Sequence, residues 1–206
     1  VILVADEPEF HKLYENIRIN KREEDNIFVL ADLNKLDTNQ SLKDEIYKLS
    51  SSNKITLIED YFTGNFAEWR NKVLGRAYLN EWLIFLDSDE RLPPQLIDDL
   101  PLIPELNPDV DVIGLPRANY VKGITQEDIQ RWGWRMDSEQ KINWPDIQYR
   151  IMRNKPGIRW EGDVHETLTC PGIKTTLPAE PNYAILHFKT IQRQTLQNQL
   201  YEKLSN

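Results

Sequence analysis

Asp87-Ser88-Asp89-Glu90 stands directly after the apolar run Trp82-Leu83-Ile84-Phe85-Leu86. Residues two apart in an extended segment point the same way, so Asp87 and Asp89 can offer two hard oxygen groups to one Mg²⁺ or Mn²⁺. A cation held there would bridge a diphosphate, and the C-terminal end of a buried strand is where open α/β sheets place their ligand crevice. The same residues also suit a plain turn ahead of Pro93-Pro94, because aspartate is common where a chain reverses and proline opens helices. The pair by itself supports both readings.

The elements that must position this pair follow from hydrophobic spacing. Val1 to Ala5 is a short apolar run, and Phe10, Leu13, Tyr14 and Ile17 follow at helical spacing. The alternation repeats with Ile27 to Ala31, a stripe at Leu42, Ile46, Tyr47 and Leu49, and Ile55 to Ile58. A helix is predicted from Phe66 to Leu79, then a buried strand over Trp82 to Leu86. After Pro93-Pro94 the pattern loosens to a short helix at Gln95 to Leu100, strands at Val110 to Leu115 and Ile147 to Met152, and a segment from Asn119 to Trp144 without clear period. Tyr183 to Leu186 reads as a last strand, and Gln192 to Leu204 as a helix. Alternating strands and helices predict one α/β domain, with a mostly parallel central sheet, helices on both faces and a more irregular C-terminal half.

Composition narrows the function. The length of 206 residues fits one core, divided here into residues 1–94 and 95–206. With 25 Lys plus Arg against 33 Asp plus Glu, the net charge of −8 excludes nucleic acid as a default partner. The apolar runs are too short to cross a bilayer. The single Cys170 and the lack of a leader-like opening predict a cytoplasmic setting, at most with peripheral membrane contact. The chain opens on Val1 rather than Met, so one or more residues are expected to have been removed or to lie upstream, and the narrow stripe of the C-terminal helix suits either packing on this domain or leading into a further one. The first glycine is Gly64, and the early loops therefore lack the glycines that Walker and dinucleotide loops need to bring backbone amides to phosphates. Any phosphate must be held by other means, and a metal at the acidic cluster is the evident one.

Phe66-Ala67-Glu68-Trp69-Arg70-Asn71 followed by Glu81 to Glu90 resembles the segment of glycosyltransferase family 2 that ends in the metal-binding Asp-x-Asp motif. Pro145-Asp146-Ile147-Gln148-Tyr149-Arg150-Ile151-Met152-Arg153-Asn154, then Ile158 to Glu166, is similar to the branch that includes lipopolysaccharide core glucosyltransferases. The resemblance implies a GT-A fold. It also implies a metal-dependent, inverting transfer from a nucleotide-diphosphate sugar, a UDP-sugar foremost, to a glycan or glycolipid acceptor. On this reading residues 1–94 bind the nucleotide sugar, and residues 95–206 bind the acceptor.

The same resemblance implies roles for particular residues. Asp87, Asp89 and His187 would hold Mn²⁺ or Mg²⁺. Ala5, Asp6, Glu7, Asp32, Arg70, Asp87, Ser88 and Arg150 would line the donor site, with Asp32 accepting from a uracil ring. The chain departs from the family at Leu30-Ala31-Asp32-Leu33-Asn34, which keeps one acid of the usual acidic run and lacks its glycine. The general base that inversion requires would be Glu166 first, beside His165, with Asp163, Glu161 and Asp146 as alternatives. Arg153 and Arg159 are further candidates for the leaving diphosphate, and Trp132, Trp134 and Trp144 for stacking on sugar faces. Two other classes share parts of this pattern: a sugar-nucleotide nucleotidyltransferase, which normally has a glycine-rich first loop, and a non-catalytic glycan-binding module on the same fold.

Overall fold

The computed structural model describes residues 1–3, 7–163 and 166–204. The first part alternates as the spacing predicts: β1 (Ile2–Leu3), α1 (Glu7–Asn20), β2 (Phe28–Asp32), α2 (Leu33–Leu36), α3 (Gln40–Ser51), β3 (Thr56–Asp60) and α4 (Phe66–Asn71). Then come β4 (Trp82–Ile84), β5 (Leu86–Asp87), β6 (Glu90–Arg91), α5 (Pro94–Asp99), α6 (Leu102–Leu106) and β7 (Val110–Lys122). The chain continues through α7 (Gln126–Trp132), β8 (Ile142–Arg153), β9 (Arg159–Glu161), β10 (Thr167–Thr169), β11 (Ile173–Thr176), β12 (Ile185–Thr190) and α8 (Ile191–Leu204).

The expected mostly parallel central sheet is corrected by the pairing. Four strands in the order β3-β2-β1-β5 are parallel, but six more form a mixed sheet, β4-β8-β7-β12-β6 with β11 beside β7, and the main sheet curls as a half-barrel. The cause is the 13-residue β7. Its first part pairs with β11 and its second part with β12, while β8 runs antiparallel along its other edge. A spacing argument sees Val110 to Leu115 as apolar and misses the polar continuation through Arg117 and Asn119.

Alternation buries both faces of the parallel sheet. Val29 and Ala31 join Phe10, Leu13, Ile46, Leu86 and Leu96 on one side. Leu30 joins Ile58, Trp69, Phe85, Met152 and Trp160 on the other. No helix among the described residues is long and apolar enough to cross a membrane.

Two local differences matter for the site. The helix expected to reach Leu79 stops at Asn71, whose side chain both accepts from the Trp160 amide and donates to the Trp160 carbonyl, each at 2.9 Å. The residues beyond it continue in tighter turns, such as Arg76 N to Val73 O at 2.9 Å. The strand expected over Trp82 to Leu86 breaks at Phe85. β4 runs antiparallel to β8, whereas β5 runs parallel to β1. The Phe85 amide donates to Arg150 O and the Leu86 amide to Val1 O, both at 2.9 Å, so the chain crosses from one sheet to the other just before Asp87.

Phe85 is fully buried at this crossing and meets the Trp160 ring edge-on at 5.8 Å. Phe85→Ala is expected to cost about 3–5 kcal/mol, read by urea unfolding. A loss under about 1 kcal/mol would mean that the crossing does not depend on this ring.

Candidate functional site

Asp87 ends β5, and Glu90 opens β6 in register with His187 of β12. His187 is in register with Asn119 of β7, and Arg117 of β7 with Asp146 of β8. Cross-strand neighbours therefore bring Glu90, His187, Asn119, Arg117 and Asp146 onto adjoining strands although they are far apart in sequence.

The side chains form a continuous chain of opposite charges. Glu166 Oε1 accepts from Arg70 Nε at 2.7 Å, and Arg70 Nη2 donates to Asp87 Oδ1 at 3.0 Å. Arg150 Nη2 donates to Asp87 Oδ2 at 2.8 Å and to Glu90 Oε1 at 2.9 Å. Arg117 reaches the same Glu90 oxygen at 3.2 Å and Asp146 Oδ2 at 2.7 Å. Glu90 is wholly buried, and its other oxygen accepts the Asp87 amide at 2.9 Å, which closes the turn through Ser88 and Asp89.

Electrostatics fix the ionisation of this chain. Burial pushes Asp87 up, but Arg150, Arg70 and Arg117 outweigh it and hold the carboxyl well below the usual carboxylate range. Burial likewise opposes the charge on Arg150, and Asp87 and Glu90 overcome it, so the guanidinium stays charged far above ordinary pH. Asp146 is raised by burial and lowered more by Arg117, Asn119 and Gln148.

A second cluster adjoins the first. Asn119 Nδ2 faces two acceptors, Asp146 Oδ2 at 3.0 Å and Ile142 O at 3.5 Å, so its Oδ1 accepts from His187 Nδ1 at 2.7 Å. The proton of a neutral His187 then lies on Nδ1, and Nε2 turns its lone pair toward Asp89 Oδ2 at 3.4 Å. A proton on Nε2 or a metal ion between the two atoms would bridge them. Ligands at about 2.1 Å on neighbouring corners of an octahedron stand roughly 3 Å apart, so the pair fits one divalent cation. Arg193 Nη2 also approaches Asp89 Oδ2, at 3.5 Å. Burial raises Asp89, while a hydrogen bond and charge from His187 carrying a proton on Nε2, with the charge of Lys189, outweigh it and leave the carboxyl below its ordinary value.

Other residues singled out from sequence fall as follows. Asp87 lies in the arginine chain with both oxygens engaged, apart from the Asp89–His187 pair; no group of three or more His, Cys, Asp or Glu side chains suited to a metal occurs among the described residues. His187 sits inside β12 rather than after it. Asp32 is buried and caps α2, its Oδ1 accepting from Asn34 N at 3.0 Å and Phe62 N at 3.1 Å, while no hydrogen bond engages Oδ2 among the described residues. Ser88 is buried, and its carbonyl accepts from Arg91. Ala5, Asp6 and His165 lie outside the described residues, as does the side chain of Glu7, which opens α1.

The base candidates differ clearly in what they touch. Among the described residues Glu166 is hydrogen-bonded through one oxygen, to Arg70, Asp163 is exposed and held by Asn65 Nδ2, and Asp146 has both oxygens hydrogen-bonded. Glu161 is on the surface and pairs with Arg159 at 2.8 Å. Arg153 lies over the Trp82 ring at 4.8 Å. Trp132 and Trp134 meet at 4.7 Å, and Lys141 stands over Trp144 at 4.8 Å.

Sequence reading gave no role to Glu90, Arg117 or Asn119. The signal for the last two was present, since charged and amide side chains two apart in a strand share a face.

The fold is similar to that in the crystal structure of S. aureus TarS 1–349, with a TM-score of 0.52 at 13% sequence identity, over 95% of this chain and 61% of that one. This chain thus spans about three-fifths of the TarS chain. The likeness shows the fold, a mixed α/β arrangement resembling the GT-A fold of TarS. No protein-family model matches the chain, and no curated protein does.

Because Asp87, Asp89 and Asp146 are held below their ordinary values, their charges stabilise the folded state above the unfolded carboxylate value near 3.9, and that stability is lost as pH falls below it. Asp87→Asn, which leaves Arg70 and Arg150 under-paired, is expected to cost about 1–3 kcal/mol at pH 7 and progressively less below about pH 4. Urea unfolding across pH checks this, and a penalty independent of pH would contradict it.

Proposed function

We propose that this chain is a metal-dependent glycosyltransferase that moves a sugar, with inversion, from a nucleotide-diphosphate sugar to a hydroxyl of a glycan or lipid-linked acceptor. The observation that carries the reading is the Asp89–His187 pair, oriented by Asn119 and set on a GT-A-like sheet. The donor is a UDP-sugar on this reading. Residues 1–94 serve the donor and residues 95–206 the acceptor. The kinship to lipopolysaccharide core glucosyltransferases belongs to the same proposal.

Asp89 and His187 would hold Mn²⁺ or Mg²⁺, which supplies charge neutralisation to the departing diphosphate. Asp32 offers its Oδ2 to the base, while Ala5, Asp6 and Glu7 are the proposed remainder of that pocket. Asp87 and Ser88 fix the turn that aims Asp89, and Arg70 and Arg150 hold Asp87. Arg70 Nη1 and Arg150 Nε are buried without a hydrogen-bond partner among the described residues.

Glu166 is the proposed general base. Its Oε1 is pinned by Arg70, and the other oxygen takes the proton of the acceptor hydroxyl as that oxygen attacks the anomeric carbon and the bond to the diphosphate breaks. Asp163 and Asp146 stand behind it, the first for its exposure and the second because its oxygens are occupied.

Calorimetric titration with UDP, UDP-glucose and GDP tests the donor site. One nucleotide should bind with Mn²⁺ and lose at least about tenfold in affinity with EDTA or in Asp89→Asn. Binding indifferent to both would contradict the reading. Glu166→Gln should retain nucleotide binding and lower transfer by about 10²–10⁴-fold; transfer near wild-type rate would remove Glu166 from the base role.

A further inference from the structure

Beside the Asp89–His187 pair lies a cavity of about 600 Å³ whose lining contrasts with the rest of the chain. The protein carries a net charge of −8, yet Lys122, Lys189 and Arg193 line this cavity against the single carboxylate of Glu9. That carboxylate is already neutralised, by Arg91 at 2.6 Å and Lys12 at 2.9 Å. Lys122 is exposed and makes no ion pair among the described residues. Lys189 is half-buried and donates to Gln197.

Aromatic surface accompanies the charge. Tyr120 of β7 and Phe188 of β12 are in register and stack at 5.3 Å with ring planes 15° apart. β6 pairs with β12 through Leu186 and His187, and the Phe188 amide still donates to Asp89 O at 3.2 Å, so β12 is an edge from Lys189 onward, while the Phe188 ring remains 48% exposed. A flat exposed ring at a strand edge is suited to the C–H face of a sugar. Arg193 lines the cavity and also stands 3.5 Å from Asp89, which places the cavity next to the proposed transfer site.

We propose that this cavity seats the acceptor, and that the acceptor is an anionic glycan, one sugar resting on the Tyr120–Phe188 stack while a carboxylate or phosphate group meets Lys122, Lys189 and Arg193. The proposal rests on the transferase reading for the word acceptor; the binding of an anionic glycan does not.

Microscale thermophoresis with tetragalacturonate, mannopentaose 6-phosphate and neutral maltotetraose tests it, with Mn²⁺-UDP titrated separately on each variant. At least one anionic glycan should bind about tenfold or more tighter than maltotetraose and weaken as NaCl is raised. Lys122→Gln should weaken the anionic glycan severalfold and leave maltotetraose unchanged, and Phe188→Ala should weaken all glycans that bind. Both variants should take up Mn²⁺-UDP as the wild type does. Equal affinity for neutral and anionic glycans, no glycan binding, or indifference to both substitutions would overturn the proposal. Glycan binding of the expected kind in a protein that takes up no nucleotide would instead overturn the transferase reading and leave the cavity assignment standing.

Discussion

The guanidinium of Arg150 lies buried between the carboxylates of Asp87 and Glu90, and the surrounding architecture follows from keeping that contact satisfied. A buried ion pair is costly to desolvate, and its contribution to stability is small beside an apolar replacement of equal volume. What it supplies is position. Glu90 is shared by Arg150 and Arg117, and it also accepts the Asp87 amide. One carboxylate thereby ties β8 and β7 to the turn that presents Asp89. Phe85 passes the chain from the mixed sheet to the parallel one immediately before this turn, its amide bonded to the carbonyl of Arg150 itself. Main chain and side chain of one residue thus hold both ends of the crossing.

From that anchor the charges run outward in two directions. Arg70 carries the chain to Glu166, and Arg117 carries it through Asp146 and Asn119 to His187. Each link constrains the next because an amide or imidazole with one partner fixed has a fixed polarity toward the other. Asn119 is the clearest instance. Its donor side is committed to Asp146, so its acceptor side sets the tautomer of His187, and the imidazole lone pair is left facing Asp89. The arginine network and the proposed cation site are therefore one electrostatic object, and a change at Asp146 should be felt at His187 without any contact between them.

Much of this was legible in the sequence, and the rest was not, for identifiable reasons. Periodicity located the strands and helices of the first half because each buries a face against the parallel sheet, as Val29 and Leu30 do on opposite sides. It overextended α4 because Val73 and Ala77 continue an apolar pattern that tighter turns also satisfy. It missed the length of β7 and with it the mixed sheet, since strand pairing depends on partners far away in sequence. Asp87 and Asp89 were legible by position after an apolar strand, but their different environments were not: spacing makes them equivalent, whereas the arginines of α4 and β8 claim one and His187 of β12 faces the other. Glu90, Arg117 and Asn119 acquire meaning only through cross-strand register.

The most direct test is electron spin-echo spectroscopy of Mn²⁺ bound to the protein in the presence of UDP. Nitrogen modulation from one imidazole is expected, absent in His187→Gln. Mn²⁺ coupled to nucleotide phosphorus alone, with a spectrum unchanged by that substitution, would contradict a cation held by Asp89 and His187.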